Sequence, residues 1–217
     1  MLYSLFDTHT HFDVADFDAD REQLARAAKA VGVERLILIG FVQSRFQALL
    51  QSQHDLNQLE HAPKSYLAPG LHPFYIEEHQ RSHLADLEAI LKTEQCVAVG
   101  EIGLDTFLKQ HKQSEVFQKQ KDFFSAQIEL AEQFQKPVLL HIRKSHAETL
   151  AILKQHQFKL GGIAHAFSGG IEEAKAFIKL GFKIGVTGQI TNPNAKKLHA
   201  VVRAVGAEHL VLETDCP

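Results

Sequence analysis

Eight short apolar runs alternate with longer amphipathic stretches along this chain, and that rhythm constrains the fold more than any other feature. The runs are SLFDTH, RLILIG, YLAPGLH, CVAVGEIG, PVLLHI, GIAHAF, FKIGVTG and HLVLETD. Each is of strand length and rich in Val, Ile or Leu. Between them, residues 18–31, 44–60, 82–93, 112–135, 146–157, 170–180 and 193–205 place apolar side chains at helical spacing. In the first of these stretches the spacing predicts a buried face of Leu24, Ala27, Ala28 and Val31.

Strand then helix, repeated, predicts a parallel sheet. Runs with little polar alternation predict strands covered on both faces. Eight such units favour a closed α/β fold, the (β/α)₈ TIM barrel, over the runner-up, an open doubly wound sheet. With 217 residues, 45% of them hydrophobic, the chain is read as one domain spanning 1–217. It stops at Pro217, just after the eighth run, where a barrel needs a helix over the seam between its last and first strands. The expectation is therefore a barrel whose final helix is missing from this chain.

Charged residues make up 23% and the formal net charge is −3. That balance suits a soluble protein and excludes a global basic footprint for nucleic acid. Contact with nucleic acid would have to come from a local patch or from bound metal. Cys96 and Cys216 lie far apart and make no disulfide framework, which points to a reducing, cytoplasmic setting. Cys96 opens an apolar run and is expected in the core. The N-terminus turns polar and acidic at once, unlike a signal peptide, and no apolar run is long enough to span a bilayer. A monomer is expected.

The chain holds 14 histidines. His54, His79, His83 and His156 are expected on solvated faces. Others stand at the C-terminal ends of the runs, in Asp7-Thr8-His9-Thr10-His11, Gly70-Leu71-His72-Pro73, His141-Ile142-Arg143-Lys144 and His165-Ala166-Phe167, where Gly100-Glu101 and Glu213-Thr214-Asp215 add carboxylates. In a barrel these ends share one face, where such folds carry their active sites. The opposite ends carry no comparable set.

His9 and His11, two apart on a strand, share a face and can reach one ion. Glu101 follows a buried run and needs a partner there: an Arg or Lys in the ordinary case, or two ions that share it. His141 and His165 each end an apolar run, where a hydrogen-bonded core His is the ordinary alternative. Asp215 could equally cap a helix. Together the six supply four imidazoles and two carboxylates, a set that fits two divalent ions such as Zn²⁺, Mn²⁺ or Mg²⁺ without any thiolate. Such a site activates water near neutral pH, with Asp215 as general base and Glu101 as the second catalytic carboxylate. His72, Arg143 and Lys144 could hold a phosphate; the ordinary alternatives are a turn residue and two surface ion pairs. No phosphate-cradling P-loop and no Gly-x-Ser-x-Gly elbow is present.

At these residues the chain resembles the TatD-related family of metal-dependent DNases. The matching pieces, FDTHTHFD, GLHP, AVGEIGLD, PVLLHIRKSH, IAHAFSGG, KIGVTG and LVLETDCP, follow the family's order across nearly the whole chain. The resemblance implies an amidohydrolase-like TIM barrel and hydrolysis of DNA phosphodiesters from a 3′ end. It implies one ion held by His9, His11, Glu101 and Asp215 and a second held by Glu101, His141 and His165, with Glu101 bridging. Thr10 stands where the family usually has Cys or another small residue, Phe74 where it often has a polar one, and Thr106 where it often has an aromatic. These positions sit beside the pocket and bear on substrate preference. Two other readings are a hydrolase of small phosphoesters, lactones or amides and a non-catalytic barrel. The first often bridges its metals through a modified Lys at strand 4, where this chain has Glu101. The second would show a lost ligand, and none of the six is lost.

Overall fold

The computed structural model describes residues 4–92 and 96–217, and along them strands and helices alternate without interruption. In order they are β1 (Leu5–Thr10), α1 (Arg21–Ala30), β2 (Val33–Ile39), α2 (Phe46–Gln58), β3 (Lys64–Ala68), α3 (Ser82–Leu91), β4 (Val99–Asp105), α4 (Ser114–Gln133), β5 (Val138–Arg143), α5 (His146–Gln155), β6 (Gly162–Ala164), α6 (Ile171–Lys179), β7 (Phe182–Val186), α7 (Lys196–Val205) and β8 (Leu210–Leu212). Every expected run overlaps its strand, and every expected helical stretch contains its helix within the described residues. Residues 1–3 of the N-terminal reading and Thr93, the last residue of the third helical stretch, lie outside the described residues.

All paired strands are parallel. They form two ladders, β1-β2-β3 and β4-β5-β6-β7-β8, and hydrogen bonds outside regular pairing cross both seams. At β3/β4, Val97 N donates to Leu67 O at 2.8 Å and Gly100 N to Pro69 O at 3.0 Å. At β8/β1, Asp215 N donates to His9 O and His11 N to Cys216 O, each at 2.9 Å. Thr214 Oγ1 donates to Asp7 Oδ2 at 2.7 Å. The eight strands thus run around a ring, the (β/α)₈ arrangement.

Period-two alternation sorts each strand's side chains between two apolar regions. On β2, Leu36 and Leu38 face the layer under the helices, which also holds Phe124 and Phe177. Ile37 and Ile39 face a second cluster with Ala68, Ala98 and Leu139, to which no helix contributes among the described residues. That cluster is the inside of the ring. His141 follows Leu139 at the same parity on β5, so the interior changes from apolar to polar toward the C-terminal ends of the strands.

Helix α4 anchors two of those ends. Gln127 pairs with both backbone groups of Leu71, accepting from N at 2.7 Å and donating to O at 3.1 Å. Gln120, seven residues earlier on the same face, makes the same pair of bonds with Asp105, at 2.8 and 3.0 Å. Both amides are buried, and replacing either would strand backbone groups in the core. A close approach beneath the polar end requires glycine: a Cβ on Gly70 would lie 2.6 Å from Gly100 C.

Helix α1 departs from expectation. It buries Ala25, while Leu24 is 37% exposed and Val31 65% exposed. The contact face is set by how closely the helix approaches the strands, and the small Ala side chain permits the nearer approach. His79 is a second correction. Expected in solvent, it is buried, with Nε2 at 2.9 Å from His72 O. Cys96 is buried as expected. Among the described residues no helix is long and apolar enough to cross a membrane.

Candidate metal centre

The polar end of the interior is organised around Glu101. Its side chain is 2% exposed, although it lies only two residues into β4. Oε2 lies 3.1 Å from His9 Nε2 and 3.7 Å from His11 Nε2. Oε1 lies 2.8 Å from His141 Nδ1, 3.3 Å from His72 Nε2 and 3.9 Å from His165 Nε2. Asp215 faces the same space, with Oδ1 3.3 Å from His165 Nε2 and 3.9 Å from His9 Nε2. The fold therefore gathers all six expected ligand residues, drawn from β1, β4, β5 and the segments that follow β1, β6 and β8. The partners of Glu101 are imidazoles; no Arg or Lys pairs with it among the described residues.

Burial would raise the Glu101 carboxyl, yet the surrounding His72, His9 and His165 hold it well below the ordinary glutamate range. Burial lowers His9, and the neighbouring His165 lowers it further. Burial also lowers His72, to about 4. His165 goes the other way: burial is outweighed by Glu101, Asp215 and Glu213, and its pKa lies well above the ordinary value. The same balance raises His141 through Asp105 and Glu101.

The donor set fits divalent ions. Three groups have ligand atoms mutually within 4.8 Å: His9, His11 and Asp215; His9, Glu101 and His165; His72, Glu101 and His141. His9 Nδ1 is buried with no hydrogen-bond partner among the described residues, and its ring stacks on His165 at a centroid separation of 3.4 Å. The outer nitrogens of the other rings face acceptors. His141 Nε2 lies 2.9 Å from Asp105 Oδ2, His165 Nδ1 lies 3.2 Å from Glu213 Oε1, and His11 Nδ1 lies 3.2 Å from Ile39 O. Such partners fix tautomer and ring orientation and leave the inner nitrogen free for an ion. Nitrogen and carboxylate oxygen without thiolate suit hard or borderline ions.

His72 stands closer to the centre than a substrate contact needs. Phe74 N donates to its Nδ1 at 2.9 Å, so the ring proton sits on Nε2, 3.0 Å from His141 Nδ1. Arg143 lies at the mouth with its guanidinium 3.7 Å over the Phe107 ring. Lys144 is not part of the pocket wall; its Nζ lies 4.9 Å from the same ring.

Sequence reasoning missed the outer partners Asp105 and Glu213 as site residues. Their spacing carried a signal: Asp105 is four residues beyond Glu101, and Glu213 is two before Asp215, so each pair shares strand parity. Gln120 and Gln127 left no such signal, because nothing local separates a buried helix amide from a solvated one.

The family model described as TatD related DNase matches residues 6–217. The metal-dependent hydrolase YjjV of Escherichia coli is 36% identical over 219 residues, covering 100% of this chain and 81% of its own. A protein of a Pantoea species named 3'-5' ssDNA/RNA exonuclease TatD is 32% identical over 216 residues, covering 98% of this chain and 79% of its own. The crystal structure of the Escherichia coli YjjV, described as a TatD homolog, superposes with a TM-score of 0.86 at 35% identity, over 99% of this chain and 80% of that one.

Proposed function

The chain belongs to the TatD-related DNase family of metal-dependent hydrolases acting on ester bonds, and from that premise we propose that it hydrolyses DNA phosphodiester bonds from the 3′ end with two divalent ions. The observation that carries this reading is the buried Glu101 carboxylate, whose two oxygens face different sets of imidazoles. One ion would be held by His9, His11, Glu101 and Asp215, the other by Glu101, His141 and His165. His72 lies beside the second position, its Nε2 3.3 Å from Glu101 Oε1.

Bound there, divalent ions would polarise the phosphoryl oxygens and lower the pKa of water. The chain's own residues supply the rest. Burial would raise Asp215, but His165 and His9 keep its carboxyl below the ordinary value. It is therefore ionised at neutral pH and, with a side chain 39% exposed, can accept a proton from the attacking water. His72 presents Nε2–H as a donor toward the same space. Arg143, held flat on Phe107, can donate to a phosphate at the mouth.

The test is incubation of the metal-loaded protein with end-labelled single-stranded DNA in Mg²⁺, Mn²⁺ or Zn²⁺. Stepwise shortening from the 3′ end is expected. Intact DNA with all three ions, alongside turnover of a small phosphoester or lactone, would move the activity to the small-molecule class.

A further inference from the structure

Two clefts open from the metal centre and share His141, Arg143, His165 and Asp215 in their walls. One, of about 360 Å³, is faced by Phe41, Phe74 and Tyr75. Phe74 is 41% exposed and packs edge-on against Tyr75 and His111. This cleft also carries Asp16, Glu101 and Asp105. The other, of about 560 Å³, runs past the ends of β6 and β7 to α7 and is faced by Thr187, Gln189, Asn194, Lys196 and Lys197. Among the described residues its only carboxylate is Asp215.

The two walls are therefore chemically unlike. Lys196 and Lys197 add to the shared Arg143 a positive charge that the first cleft lacks, on a chain whose formal net charge is −3. Lys197 Nζ is engaged with Ser168 O at 2.7 Å. The side chains of Lys196, Gln189 and Asn194 make no hydrogen bond or ion pair among the described residues, and Arg143 is engaged only through its face on Phe107. Uncommitted cationic and amide donors are what a run of phosphates needs. Exposed aromatic faces are what an unpaired base needs.

We propose that the cleft between β6, β7 and α7 binds the phosphate chain of a single-stranded polynucleotide, and that the Phe74–Tyr75 cleft receives its terminal base. This strand path rests on the phosphodiesterase reading above. The exposed Asp16 carboxylate of the aromatic cleft repels a phosphate chain while Lys196 and Lys197 draw it into the other cleft, which sets the direction. A base held in a pair cannot leave its partner to enter that cleft, so a duplex must fray first.

The test is fluorescence anisotropy on the metal-loaded protein with a labelled, cleavage-resistant phosphorothioate single strand of about ten nucleotides. Lys196→Ala is expected to weaken binding about threefold and to reduce the slope of log affinity against log salt by about 0.7. Lys196→Glu is expected to weaken it about tenfold. Phe74→Ala should weaken long strands and dinucleotides alike by about fivefold. Lys159→Ala, beyond α5 at the opposite end of the strands, should match the wild type. Wild-type affinity and slope in both Lys196 variants, or no binding by the wild type, would overturn the proposal. Binding that follows this pattern in a protein that cuts no DNA with any ion would sink the nuclease reading and leave the strand path standing.

Discussion

Asp105 Oδ2 lies 2.9 Å from His141 Nε2, so the carboxylate that closes β4 orients the imidazole on β5 and turns its Nδ1 toward Glu101. Burial would raise Asp105, but the bonds from His141 and from Phe107 N–H bring its pKa to about 2, against 3.8 for the free side chain. The folded value lies below the unfolded one. Its stabilisation is therefore complete above about pH 4 and lost as the pH falls toward 2. Asp105→Asn removes it: about 2 kcal/mol is expected to go at neutral pH, with a flatter stability profile between pH 4 and 2 in urea unfolding. Metal affinity should fall about 10- to 100-fold. An acid profile identical to the wild type would contradict this account.

Gly185 on β7 lies against Glu213, and a Cβ there would come within 2.5 Å of Glu213 Oε1. That oxygen accepts from Ala166 N at 2.6 Å and faces His165 Nδ1. Gly185→Ala is thus expected to displace a carboxylate it does not chemically replace. The cost should be about 1–3 kcal/mol, as for other overpacked sites, with weaker metal binding through His165. Calorimetric titration with Mn²⁺ or Zn²⁺ reads the second effect, and unchanged affinity would show that Glu213 does not position His165.

His79 is buried and held near 4, against 6.5 when free. Its unfolded form therefore takes up a proton that the folded form resists, and stability falls as pH drops from 6.5 toward 4. Glutamine keeps an N–H for His72 O and does not titrate. His79→Gln should stay within about 1 kcal/mol of the wild type at neutral pH and gain on it in acid, by about 3 kcal/mol at most. Parallel stability profiles across that window would rule out a neutral, buried His79.

Glu101→Gln keeps the shape of the central side chain and removes its charge. If Glu101 is shared by two ions, bound metal measured by plasma mass spectrometry should fall by more than one ion per chain, and hydrolysis should fall with it. Metal titration should also raise the melting temperature of the wild type, because ions that bind only the folded state add about 2.7 kcal/mol at a hundredfold excess over Kd. A variant with full metal content and activity would sink the bridging role.

The alternation of strand and helix was legible because both periods are local: apolar spacing along a few residues sets each element, and eight repeats leave few ways to close a sheet. The strand ends holding His9, His11, Glu101, His141, His165 and Asp215 followed from the same rhythm, since parallel strands in a ring present one set of ends to one face. Distances were not legible. That Glu101 meets five imidazoles, that His72 reaches Glu101 Oε1 as closely as 3.3 Å, and that Lys144 stands off the pocket wall depend on strand register and on where each loop turns.

Burial of individual side chains belonged to tertiary structure as well. Helix α1 presents Ala25 to the strands and leaves Leu24 and Val31 to solvent, because interhelix and sheet spacing, not hydrophobicity alone, chooses the contact face. His79 is expected on a solvated face and Gln120 and Gln127 carry no local mark of burial, yet each is buried against a backbone group brought there by the fold. A polar side chain can be buried only where a partner meets it, and local sequence does not say which partner arrives.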